Sequence, residues 1–278
     1  AAARALRVGH VTVGRRIALL EKQLGVTLLT RTPDGFVTTP AGEAILRQSA
    51  AMESAAMDLE RIVAGHDALV SGSVRVTTTE ALASQLVVPA IAGLRESNPE
   101  LRVDLIVGVR SLDIARREAD LAIRFVRPQA SDLVCRKMGE VAFSLYASKH
   151  YLESKGIPQP GQGLAGYDLI TFTASPTAMS PFFMGEQLDS ARIALRCDSP
   201  VIQLRAAANK VGIVEAACFL GDAAQDLVRV WPKRPPTRRV AWLITHQDMR
   251  RAARIKAVSG AITEAFHRHR RVLEQGTG

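Results

Sequence analysis

The sequence predicts an α/β protein: a small helical module, one long helix, and then a larger domain built on a mainly parallel sheet. Three observations predict it. Near the start an amphipathic helix pattern leads into a Pro-Asp-Gly turn, an apolar stripe then runs unbroken over about twenty-five residues, and from Ser73 short β-branched runs alternate with helical patterns. Strand, helix and strand alternating in this way means parallel strands joined by crossover helices.

The opening stretch runs from Gly9 to Val26. Val13, Ile17, Leu20 and Leu24 recur at spacings of four, three and four, which puts them on one helix face. His10, Thr12, Arg15, Arg16 and Lys22 take the other, and Gly25 supplies the stop. Pro33-Asp34-Gly35 between Thr27–Thr32 and Phe36–Thr39 reads as a tight hairpin turn. A basic-faced helix followed by a small hairpin is the outline of a winged helix-turn-helix, whose helix enters the major groove while the wing meets the flanking backbone. Over residues 1–31 six basic residues (Arg4, Arg7, Arg15, Arg16, Lys22 and Arg31) face one acid, Glu21, which suits a phosphate-facing surface.

Thr39-Pro40 is an N-cap residue followed by proline at the first helical position, and Glu43 lies in the first turn. The helix is expected to reach about Ala64, with Gly65 as its stop. Its stripe of Ile45, Met52, Ala55, Leu59 and Ile62 must be buried, either on its own domain or against a second subunit. Beyond it, strands are expected at Val74–Thr78, Leu101–Val107 and Ala119–Arg124, separated by helices over Ala81–Arg95 and Ser111–Glu118. Further strands are expected at Leu133–Lys137, Val141–Ala147, Asp168–Thr173, Arg192–Arg196, Val211–Val214 and Arg239–Thr245. The later helices fall at Lys149–Ser154, Val201–Asn209 and Ala252–His269.

The run from Val13-Gly14-Arg15-Arg16-Ile17 through Leu24-Gly25-Val26 and Arg31-Thr32 to Thr39-Pro40-Ala41-Gly42-Glu43 resembles the DNA-binding half of a LysR-type transcriptional regulator. Asn98-Pro99-Glu100-Leu101, Ala119-Asp120-Leu121-Ala122-Ile123-Arg124 and Lys210-Val211-Gly212-Ile213 extend the resemblance over nearly the whole chain. It implies a truncated winged helix-turn-helix over residues 1–39, since in the family a whole further helix precedes this one. It also implies a linker and dimerisation helix over 40–72, and an effector-binding domain over 73–278 of the two-subdomain, type-2 periplasmic-binding-protein kind. Subdomain I would comprise about 73–147 and 246–278, and subdomain II about 148–245. Implied partners are double-stranded promoter DNA, a small-molecule effector, and a second copy in a homodimer or homotetramer. On the DNA side the resemblance points to His10, Thr12 and Arg15 near base edges and to Arg16 and Arg31 on phosphates. Many relatives carry serine where Gly14 stands and a basic residue where Asp34 stands, which weakens those backbone contacts.

For the effector, Thr77-Thr78-Thr79-Glu80 ends a strand and opens a helix, where hydroxyls and uncommitted amides suit an anionic or polar ligand. Cys197-Asp198-Ser199-Pro200 repeats that arrangement. Arg124, ending a strand, could hold a carboxylate or serve as a surface ion-pair partner. The resemblance places a cleft between these groups, with Phe172 and Thr173 facing it. Plain helix capping is the competing reading for Thr78, Thr79 and Ser199.

Other classes find little support. Gly161-Gln162-Gly163-Leu164-Ala165-Gly166 fits G-x-G-x-x-G, but it follows Pro158 and Pro160 and leads into a strand, the wrong context for a dinucleotide. No cofactor or metal is expected: His267 and His269 point to different sides of one helix, and the cysteines lack partners at chelating spacing. No G-x-S-x-G, P-loop or H-E-x-x-H motif suggests an enzyme. No apolar run approaches the roughly 18–20 residues that cross a bilayer. The start lacks a signal peptide, and three widely spaced cysteines (Cys135, Cys197 and Cys218) do not make a disulfide framework, so a cytoplasmic protein without a membrane partner is expected. The net charge is +9, and from Arg229 onward twelve Lys or Arg face Asp248, Glu264 and Glu274. That tail surplus equals the charge of the whole chain and serves either DNA contact or solubility. The alternative to a regulator is a solute-binding protein without competent DNA binding.

Overall fold

The computed structural model describes residues 9–32, 35–63, 70–108, 119–130, 132–173, 182–188 and 191–276. The turn residues Pro33-Asp34, the stop at Gly65 and the helix expected over Ser111–Glu118 lie outside them. The chain divides into two units, residues 1–64 and 65–278.

In the first unit, α1 (His10–Leu24) ends where Gly25 turns left-handed at φ +69° and donates its N–H to the Glu21 carbonyl. Strands β1 (Leu29–Thr32) and β2 (Gly35–Thr38) pair antiparallel, with Thr32 opposite Gly35. Glu21, the acid among the basic residues, faces inward. Its Oε1 accepts the amides of Leu28 at 2.7 Å and Leu29 at 3.2 Å, which fixes the strand entry to the helix. Helix α2 (Pro40–Val63) starts under Thr39, whose hydroxyl accepts the Gly42 amide at 3.0 Å and donates to the Thr27 carbonyl at 2.7 Å. Gly42 packs so closely that a Cβ there would stand 2.1 Å from the Leu28 carbonyl oxygen.

The second unit is organised by a sheet in the order β10-β7-β11-β6-β13-β5-β3-β4. Its first lobe carries β3 (Gly72–Thr78), parallel to both β4 (Leu101–Val107) and β5 (Leu121–Arg124). Its second lobe carries β7 (Asp168–Thr171), β10 (Arg192–Arg196) and β11 (Ile213–Ala217), also parallel where they pair. The long β6 (Leu133–Ser148) and β13 (Thr237–His246) run antiparallel through both lobes. The short β12 (Leu227–Arg229) pairs with the end of β6, and β8 (Phe182–Phe183) forms a separate hairpin with β9 (Glu186–Gln187).

Among the described residues six helices pack on this frame: α3 (residues 80–97), α4 (Lys149–Lys155), α5 (Pro200–Ala208), α6 (Cys218–Gly221), α7 (Ala253–Arg268) and α8 (Arg270–Gln275). In the first lobe Val74, Val76, Leu121 and Ile123 meet Leu82 and Leu86 of α3 and Ile255, Val258, Ile262 and Phe266 of α7. Each such side chain, once buried, contributes roughly 1.5–3 kcal/mol. In the second lobe Leu145, Leu169 and Ile213 enter one core while their neighbours Tyr146, Ile170 and Val214 enter another. That alternation is what a sheet covered on both faces requires.

Several elements differ from the sequence expectation: the strand expected over Val211–Val214 runs Ile213–Ala217, and β8, β9, β12, α6 and α8 were not expected. The two strands expected over 133–147 are one, because the chain absorbs the irregularity as a bulge: Lys137 pairs with Trp242 and Gly139 with Ala241, passing over Met138. The strand expected to reach Thr173 ends at Thr171, since the Thr173 amide turns to Asp198. The helix expected over 81–95 runs as a single α-turn, a π-segment over Ala83–Val87 and an α-helix from Val88. Pro89 has no N–H and its ring crowds the carbonyl four residues back, so a wider turn precedes it.

Candidate functional site

On α1, Thr12, Arg15 and Arg16 lie at i, i+3 and i+4 and are all exposed, while Val13 and Ile17 on the opposite side are half-buried. His10 is the first residue of the helix. Arg31 is exposed on β1. With Glu21 turned inward, this face carries hydroxyl and guanidinium donors and no carboxylate of its own helix. Leu20 and Leu24 remain 39% and 48% exposed.

In the second unit two corners of the same kind approach one another, each made where a parallel strand ends and a helix begins. Open α/β sheets bind ligands at such carboxyl ends. At the first corner, Thr78 ends β3 and Thr79 stands at the N-cap of α3 in extended conformation, yet it makes no side-chain cap bond. Thr78 is 0% exposed, and the hydroxyls of both Thr78 and Thr79 are buried without a hydrogen-bond partner. Capping therefore does not account for these two hydroxyls. Leaving such a group unpaired costs about 1–3 kcal/mol.

At the second corner the side chains of Asp198 and Ser199 both have partners. Ser199 caps α5 by accepting the Ile202 amide at 3.3 Å, and the Asp198 carboxylate accepts both the amide of Thr173, at 2.9 Å, and its hydroxyl. The Cys197 carbonyl accepts Gln203 Nε2 at 2.6 Å. Phe172 is half-buried beside Thr173. One bond joins the corners: Ser199 Oγ donates to Glu80 Oε2 at 2.6 Å, across 119 residues of sequence.

Arg124 ends β5 as expected, but its Nη2 donates to Thr77 Oγ1 at 2.6 Å and its Nη1 to the Ile123 carbonyl at 3.0 Å. Side chains alternate along a strand, so Thr77 and Thr78 face opposite sides of the sheet and Arg124 serves the side away from the Thr78 hydroxyl. Burial pushes its pKa down to about 10, which still leaves it charged at neutral pH.

Several other chemistry-bearing groups are committed to structure. The amides of Gly161 and Gly163, which a phosphate would need, donate to Glu186 at 2.9 and 3.0 Å. Glu186 is 4% exposed and also pairs with Arg234 at 2.5 Å. Cys218 is fully buried, and burial raises its thiol pKa, so it stays protonated and weakly reactive. Beside it Tyr146 donates to Asp222 at 2.7 Å, and Arg229 holds the same carboxylate. Neither group carried a local signal, because Glu186 lies 25 residues from Gly161 and 48 from Arg234, and Asp222 lies 76 from Tyr146. Among the described residues no helix is long and apolar enough to cross a membrane, and no group of three His, Cys, Asp or Glu could hold a metal.

The sequence matches two family profiles: a bacterial regulatory helix-turn-helix of the lysR family over residues 1–43, and a LysR substrate binding domain over residues 67–267. It is 28% identical over 254 residues to the Mau operon transcriptional activator of Paracoccus denitrificans, covering 90% of this chain and 84% of that protein. It is 30% identical over 174 residues to the HTH-type transcriptional regulator CrgA of Neisseria meningitidis, covering 62% of this chain and 58% of that one. The fold is similar to that of CrgA (TM-score 0.61, 23% identity, 95% of this chain and 92% of that chain) and of the Vibrio cholerae virulence activator AphB (TM-score 0.62, 20% identity, 94% and 92%). A helix-turn-helix profile at the start and a substrate-binding profile over most of the remainder assign the chain to the LysR family of transcriptional regulators, DNA-binding proteins governed by a small-molecule effector.

Proposed function

We propose that occupancy of the corner formed by Thr78, Thr79, Glu80 and Ser199 sets how this regulator binds its promoter. The observation that carries this reading is the Glu80–Ser199 hydrogen bond, which joins the two corners across lobes that also share β6 and β13 and meet where Arg229 donates to the Gln275 carbonyl. A ligand entering there competes with that bond and meets the two unpartnered hydroxyls. Only a ligand that binds two lobe orientations unequally shifts their populations. Asp198, Thr173 and Phe172 form the wall behind Ser199, and Arg124 orders the neighbouring strand end through Thr77.

On the DNA side Thr12 and Arg15, with His10, address base edges, while Arg16 and Arg31 take phosphates. The protein works as a homodimer or homotetramer through α2, which spaces two recognition helices over paired half-sites. The test is gel shift of the full chain on a duplex from its own promoter against a scrambled duplex over a salt series. Arg15→Ala is expected to cost about 1–3 kcal/mol on the promoter duplex alone. Arg16→Ala is expected to weaken both duplexes and lower the salt slope by about one. Equal, weak binding of the unaltered chain to both duplexes would contradict specific recognition.

A further inference from the structure

We infer that the effector is a free L-α-amino acid, bound through its carboxylate at the Thr78 and Thr79 hydroxyls and through its ammonium at Glu80. This rests on the corner being the effector site. The argument is one of matching donors to acceptors. Two buried hydroxyls lack a partner among the described residues, and Thr79 leaves the first turn of α3 without a side-chain cap, so one end of the corner offers donors. A carboxylate satisfies several such donors at once.

The next residue inverts the chemistry. Glu80 Oε2 meets only the neutral Ser199 hydroxyl, at 2.6 Å, and its other oxygen accepts nothing among the described residues. A purely anionic effector would set its charge against Glu80. Arg124 does not offset that repulsion, since its guanidinium serves Thr77 on the other face. A purely cationic effector would pair with Glu80 and leave the hydroxyls orphaned. A zwitterion, of which a free α-amino acid is the simplest kind, satisfies both ends. Its ammonium gives Glu80 a charge-assisted bond where the chain gives it only a neutral one. Glu80 then stands between the ligand and Ser199, so the group that recognises the ammonium also bears on the bond between the lobes.

The experiment is a thermal-shift and calorimetric screen of the full chain with each common L-α-amino acid at millimolar concentration. Any that binds is repeated as its N-acetyl derivative and its α-amide, alongside acetate and glutarate as simple carboxylates. At least one amino acid is expected to bind. Acetylation and amidation are each expected to weaken it on the order of tenfold or more, since each removes one charge-assisted contact. Glu80→Gln is expected to cost a similar factor for the amino acid and little for its N-acetyl form. The derivatives test the same point on the unaltered protein, so the inference does not depend on that variant folding. If no amino acid binds, or if acetate or glutarate binds as tightly and ignores Glu80→Gln, the ligand class is overturned while the corner remains a site. If a bound amino acid ignores both Glu80→Gln and Thr78→Val, the site reading falls with it.

Discussion

The two strand-to-helix corners of the second unit are built alike and finished differently. Both place small polar residues and an acid at the start of a helix. At Cys197-Asp198-Ser199, the Asp198 carboxylate is taken by Thr173, and Ser199 both caps its helix and reaches Glu80. At Thr78-Thr79-Glu80, two hydroxyls are sealed from water with nothing to bond. The same residue types therefore mean opposite things. Where the chain supplies every partner the polar groups stabilise the fold, and where it withholds them it keeps a cost that a ligand can remove. The Gly161–Gly163 loop is a third case at the satisfied extreme, where Glu186 already occupies the amides that an outside anion would seek.

Substitutions can break this contrast. The largest effect is expected at Glu186→Gln, which leaves Arg234 without its charge partner and costs about 3 kcal/mol, read as a lower denaturation midpoint. The same site gives a pH dependence. Burial alone would raise the Glu186 pKa, but Arg234 and the amides of Gly161 and Gly163 outweigh it and hold the group below its ordinary 4.5. A lowered folded pKa means the stabilisation is present above the unfolded value and lost as pH falls through the folded one. Acid melts below pH 4.5 should therefore show a loss that Glu186→Gln flattens. Asp198→Ala should cost less, about 1–2 kcal/mol, because Thr173 is exposed and water replaces part of what it loses. Thr78→Val is expected to have the opposite sign, since it removes a buried hydroxyl that bonds to nothing.

How far these features were legible in the sequence follows from the distance over which each is determined. Helix α1, its glycine stop, the Thr39 cap and the parallel strands were readable because each depends on residues within a few positions. Thr78, Thr79, Glu80 and Ser199 could be named individually as polar residues at helix starts. That Glu80 meets Ser199, and that Thr78 meets nothing, could not be read, because both depend on residues more than a hundred positions apart. Arg124 was placed correctly at a strand end, but its partner depended on which face of β3 it met. The inward turn of Glu21 was likewise hidden, although it decides that the basic face of α1 carries no opposing charge. Met138 gives no local sign of a bulge, because a bulge is a property of two strands in register.

The most direct test is the denaturant midpoint of the ligand-free full chain carrying Thr78→Val, measured beside Asp198→Ala. The account predicts that Thr78→Val leaves stability unchanged or raises it by up to about 2 kcal/mol, while Asp198→Ala lowers it. A loss in Thr78→Val as large as that in Asp198→Ala would show that the Thr78 hydroxyl already has a partner within the fold, and would contradict the reading of this corner as the site left for the effector.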